Sequence, residues 1–261
     1  MAAQAVRPIP DIYRNVEDGH AAVEIDCRGA VEPDRLGAFD LRGEPMPTIP
    51  DDIFTEPDAS PDTLANLGPL RRLAGVWQSD QGVDINPKAD GPERREFREH
   101  IRMDPIDPQT NGPQLLYGLR YHIHINTPEE AITFHDQVGY WLWEPATGLI
   151  MQTIAIPRGQ VVLAGGTAKP EDDRISVEAR RGDTRFGICS TTFLEEAFRT
   201  DYYRIDITFN GDDSWTYVTR TDLAVHGKTP AFDHRDTNTL RRIAPPTPNP
   251  LVGLLKEAKT G

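Results

Sequence analysis

From residue 76 onward the chain alternates. In "YYRIDITF" Tyr203, Ile205, Ile207 and Phe209 fall on one face and Tyr202, Arg204, Asp206 and Thr208 on the other. "WTYVTRTDL" and "RISVEAR" repeat the period, and "NGDDS", "PRGQ", "EPATG" and "KPEDD" stand between such segments as turn signals. Period-two alternation broken by turns is the mark of half-buried strands. About ten such segments run from Val76 to Ile243. A sheet of that many twisted strands tends to close on itself, since closure removes the edges. The pattern predicts an all-β fold: an antiparallel up-and-down β-barrel of about ten strands with little helix. A barrel of that size holds one small molecule in its mouth. Short helices are expected in "SPDTLANLGPLRRLAG", capped by Ser60 or Asp62, and in "STTFLEEAF"; the tail "NPLVGLLKEAKTG" has an amphipathic pattern but is too short for a helix stable on its own.

Three segments follow: an arm (1–62), the barrel (63–245) and a tail (246–261). The arm holds 8 of the 23 prolines, which excludes helix and central strand. It also carries Ile9, Ile12, Tyr13, Leu36, Phe39, Ile53 and Phe54, which a solvated linker would lack. These are expected to anchor an extended arm along the barrel or a neighbouring subunit.

Net charge is −13, of which residues 1–62 contribute −9. No basic stripe is present, so nucleic acid is not an expected partner. No apolar run spans a bilayer and the N-terminus has no secretory pattern, so a cytoplasmic protein without membrane contact is expected. Cys27 and Cys189 form no disulfide framework or zinc signature and read as partly buried reduced thiols. A homodimer is left open.

Nucleophile elbows, phosphate-cradling loops and paired-carboxylate motifs are absent, so no catalytic side chain is assigned and chemistry would rest on a bound cofactor. In "YGLRYHIHI" His122 and His124 share a strand face, a metal-ligand geometry to which Glu129 or His135 would add a third donor. The apolar face, Tyr117, Leu119, Tyr121, Ile123 and Ile125, puts the two histidines outside with Arg120. Were the outer face the apolar one, they would point into the cavity. Trp77 is expected to plug the closed end under Arg241 or Arg242. Near the C-terminus, "AFDHRDTNTLRRI" places His234 between Asp233 and Asp236.

"LAGVWQSDQG" has the Gly-x-Trp form that opens lipocalin-like barrels. With "FHDQVGYWLW", "IAIPRGQVVLAGG" and "FDHRDTNTLRRI" in that order, residues 65–243 resemble the nitrobindin-type haem-binding β-barrels, also described as fatty-acid-binding-protein-like. The resemblance implies haem b held by His234, with Asp233 or Asp236 accepting the other ring proton. It further implies isomerisation of peroxynitrite to nitrate and binding of nitric oxide. "DINPKADGPERREFREH" departs from the family pattern. Two alternatives stand beside this reading: a non-enzymatic barrel for an apolar molecule such as a fatty acid, and a metal-dependent enzyme using His122, His124 and His135.

Overall fold

The structure, a computed structural model, describes residues 49–129 and 132–258. Twelve strands follow one another among them: β1 (Gly75–Lys88), β2 (Gly91–Pro105), β3 (Gln109–Asn111), β4 (Gln114–Asn126), β5 (Thr133–Glu144), β6 (Leu149–Ile156), β7 (Gln160–Thr167), β8 (Arg174–Arg181), β9 (Gly187–Ser190), β10 (Phe198–Phe209), β11 (Ser214–Val225) and β12 (Phe232–Ala244). Neighbours run β2-β1-β12-β11-β10-β8-β9-β7-β6-β5-β4, and a further pairing of β2 with β4 closes the circle. The short β3 pairs only with β4, outside the circle.

Closure is antiparallel at every pairing but one. Arg180 and Arg181 of β8 pair in parallel with Gly187 and Ile188 of β9, which corrects the purely antiparallel expectation. The cause is local. β9 continues in the direction of β8 after a loop over 182–186, displaced sideways so that it pairs antiparallel with β7. Taken as one broken strand, β8 and β9 make a barrel of ten positions.

A plug fills one end. Helix α1 (Thr63–Asn66) is capped by the Asp62 carboxylate, which accepts from the Ala65 amide. A 3-10 segment (Gly68–Leu73) follows. Leu67, Leu70 and Leu73 are fully buried with Trp77. Gly68 sits at φ +52 beneath Trp143, where a Cβ would lie 2.5 Å from the indole; glycine alone suits both demands. Trp77 Nε1 donates to the Leu73 carbonyl at 2.8 Å, its ring meets Trp215 edge-on at 5.8 Å, and the Arg242 guanidinium covers it at 4.3 Å. The expected Trp–Arg plug is thus present, and Arg242 is the arginine.

Ser60 and Pro61, just before α1, are tied down through their backbone groups. The Ser60 amide donates to the Tyr117 hydroxyl and Asn249 donates to the Pro61 carbonyl. Ile53 and Phe54 stand 49% and 85% exposed, so these two anchors fail; the other five lie outside the described residues. Two further short helices occur, α2 (Thr192–Ala197) and α3 (Pro250–Ala258), and no helix among the described residues is long and apolar enough to cross a membrane. Cys189 is free and exposed rather than partly buried, while Cys27 lies outside the described residues.

Candidate functional site

Opposite the plug the barrel encloses a cavity of about 610 Å³, within the range of small-molecule sites. Its walls are largely apolar, with Ile101, Met103, Ile123, Trp141, Ile154 and Ile205 prominent. Phe97 and Phe134, edge to face at 6.0 Å, stand toward the mouth, where Lys88, Arg95 and Arg158 also line it.

His234 faces inward, because alternation along β12 sends His234, Asp236, Asn238 and Leu240 to the same side. Its Nε2 lies 2.8 Å from Asp84 Oδ1 and 3.7 Å from Asp236 Oδ1. Asp236 accepts from the Thr219 hydroxyl at 2.9 Å. Asp84 and Asp236 oppose one another across the β1–β12 pair. Among the described residues these three form the only group of three or more His, Cys, Asp or Glu side chains whose ligand atoms all lie within 4.8 Å of one another. Asp233, the other candidate partner, lies on the outer side in an ion pair with Arg235 at 2.7 Å.

The charges of the cluster follow from its surroundings. Burial works against the His234 imidazolium, but the Asp84 hydrogen bond and the charges of Asp236 and Asp84 outweigh it. The His234 pKa therefore lies above the ordinary histidine value. Burial likewise opposes the Asp84 carboxylate, and bonds from His234 and Asn86 hold it below its usual value. For Asp236 burial prevails over the pull of His234, and nearby Asp84 adds repulsion, so its carboxyl is pushed up to about 6.

Deeper in the cavity lies a carboxyl that the sequence reading does not single out. Glu99 Oε2 accepts from the Tyr217 hydroxyl at 2.9 Å and from Asn238 Nδ2 at 2.7 Å. Complete burial pushes it up to about 7 despite those two bonds. The indole Nε1 of neighbouring Trp215 and Asn238 Oδ1 are buried without a protein partner. On the facing wall a polar chain runs inward from the rim. Arg158 approaches His135 Nδ1 at 3.4 Å, and His135 Nε2 lies 3.1 Å from Gln137 Oε1. Gln137 then donates to Tyr121, whose hydroxyl donates to the Thr153 carbonyl at 2.7 Å. Burial first, then the Arg158 charge, hold His135 below the ordinary value, against the bond from Gln137.

His122 and His124 point outward, as the apolar face of β4 requires. His122 Nε2 meets Asp136 at 3.0 Å and His124 Nε2 meets Thr133 at 3.0 Å. His135 is on the other side of the sheet, lining the cavity, so the three histidines are not brought together.

A β-bulge hides Asp84 from a reading by alternation. Between Ser79 and Gly82 strand β1 carries one residue more than β2, so the inward series passes from odd numbers (Trp77) to even ones (Gly82, Asp84). Phe97 packs against Gly82, where a Cβ would lie 2.1 Å from its ring. Glu99, in contrast, leaves a visible signal: in "REFREHIRM" it falls in phase with Phe97, Ile101 and Met103, a carboxylate on an apolar face.

No curated protein matches the chain. Among solved structures, the crystal structure of Rv2717c from M. tuberculosis matches with a TM-score of 0.48 and 21% identity, over 71% of this chain and 99% of the other. The sequence profile described as "THAP4-like, heme-binding beta-barrel domain" matches residues 66–242, which is most of the chain. The protein belongs to the THAP4-like haem-binding β-barrel family, of nitrobindin type.

Proposed function

We propose that the barrel binds haem b through His234 and acts on small reactive nitrogen species, isomerising peroxynitrite to nitrate and binding nitric oxide. The observation that carries this reading is His234 itself: an inward imidazole, held by a carboxylate, in the wall of a largely apolar cavity. The residues fit the group. Apolar walls suit a flat macrocycle, and Lys88, Arg95 and Arg158 at the mouth suit its propionates. One ring nitrogen of His234 is committed to Asp84, and the other is the one a ligand must use. The carboxylate–histidine pair fixes the tautomer and makes the imidazole a stronger donor.

Bound there, ferric haem would supply a Lewis-acid and one-electron centre. The chain's own part is to hold and to shield. Asp84 orients His234. Ile123, Trp141 and Ile154 restrict water. Glu99, part protonated near neutral pH, can donate or accept a proton within the cavity. The choice of nitrogen species rests on the nitrobindin-type family.

Hemin titration of the full chain tests the binding. The expected result is one hemin per chain with a shifted Soret band, abolished in His234→Ala. An identical shift in that variant rejects the assignment. Stopped-flow decay of peroxynitrite with nitrate yield then tests the activity. Tight binding of a neutral lipid probe, undisturbed by hemin, would favour the apolar-ligand alternative instead.

A further inference from the structure

Alternation sends His100 of β2 and His122 and His124 of β4 to the outside of the barrel. His100 stands directly across from His124, and His124 directly across from Asp136 of β5. Directly opposed residues hold their Cβ atoms about 4.5–5.5 Å apart. His122 lies two residues along the same strand, its ring centroid 6.4 Å from that of His124. A His-x-His pair with a third histidine directly across on the adjacent antiparallel strand makes three imidazoles neighbours on one outer face of the sheet. Three imidazoles are a zinc donor set, and imidazole suits copper and nickel equally.

We propose that His100, His122 and His124 form a surface site for a divalent transition metal of the zinc, copper and nickel kind, with Asp136 as a fourth donor. The donors point to separate partners: His122 Nε2 rests on Asp136 and His124 Nε2 on Thr133. Closing the site takes rotation about side-chain torsions, which exposed residues undergo in nanoseconds or less. Neighbouring cations are met by carboxylates, Arg98 by Asp80 at 3.4 Å and Arg102 by Asp104 at 2.5 Å. The site spans the β2–β4 pairing that closes the barrel, and a bound metal would clasp it. Because these side chains leave the sheet on the side opposite His234, the site does not depend on haem.

The test uses the full chain, free of any affinity tag, titrated calorimetrically with Zn²⁺ and examined by electron paramagnetic resonance with Cu²⁺. The expected result is one metal per chain, with Kd weakened about tenfold or more in each of His100→Ala, His122→Ala and His124→Ala. The copper spectrum should show coupling to imidazole nitrogen. His234→Ala and prior addition of hemin should leave the affinity unchanged. Thermal unfolding checks that each variant is folded, as exposed positions allow. Failure to bind either metal, equal affinity in all variants, or loss in His234→Ala with retention in His124→Ala would overturn the proposal; the last would move the metal to the Asp84–His234–Asp236 cluster.

Discussion

Asp84 and His234 are 150 residues apart in the chain and share a 2.8 Å hydrogen bond across the first and last strands of the barrel. The residue that orients the candidate ligand therefore comes from the opposite end of the domain. Removing a partner of this kind typically costs 10–100-fold in affinity for a bound metal centre. At alkaline pH, where the imidazole is neutral in either protein, Asp84→Asn is expected to bind hemin about 10–100-fold more weakly than the parent. Hemin titration followed at the Soret band measures this. Equal affinities would show that Asp84 does not prepare His234.

Glu99 makes stability depend on pH in a stated direction. Its folded-state pKa is raised from 4.5 to about 7, so between those values the folded chain binds more protons than the unfolded one. Stability contributed by the neutral carboxyl is present at pH 5 and falls as pH rises through about 7. The loss by pH 8 is on the order of 2–3 kcal/mol. Glu99→Gln keeps an acceptor for Tyr217 and Asn238 while removing the ionisation. Denaturant midpoints for this variant should change less between pH 5 and pH 8 than those of the parent. An unchanged slope would mean that Glu99 does not titrate in this range.

Leu70 tests the plug. Being fully buried among Leu67, Leu73 and Trp77, its truncation to alanine should cost about 2–5 kcal/mol in urea unfolding. Hemin affinity should fall less than in His234→Ala, because the plug meets the cavity only through its floor, where Trp77 packs on Trp215. A stability loss under 1 kcal/mol would show that the plug is not part of the cooperative core.

Regular strands are legible in the sequence because their alternation is unbroken: β10 reads correctly from Tyr202 to Phe209, and β4 sends His122 and His124 outward as its apolar face demands. His234 and Asp236 are legible as a pair, but the partner of the histidine is not. Alternation carried forward from Trp77 puts Asp84 outside, and one extra residue in β1 reverses that. Asp233 is equally available in sequence, yet lies one step out of phase on β12. The parallel contact of β8 with β9 has no local signature, since it depends on where β7 lies. Ile53 and Phe54 show the opposite error: apolar character does not entail burial, and exposed apolar side chains are common on folded proteins.

The extra residue in β1 also has a genetic consequence. Residues on either side of it are already in phase with the barrel, so losing the codon for Gln81 would straighten the strand and leave Gly82 and Asp84 facing inward. A codon lost two positions later, at Val83, has no such outlet. Either Asp84 turns to solvent, or the strand slips to spare it and presses Gln81 against the Phe97 ring where only glycine fits. Length variation in this strand is thereby confined to residues 80 and 81, immediately before the carboxylate that holds His234.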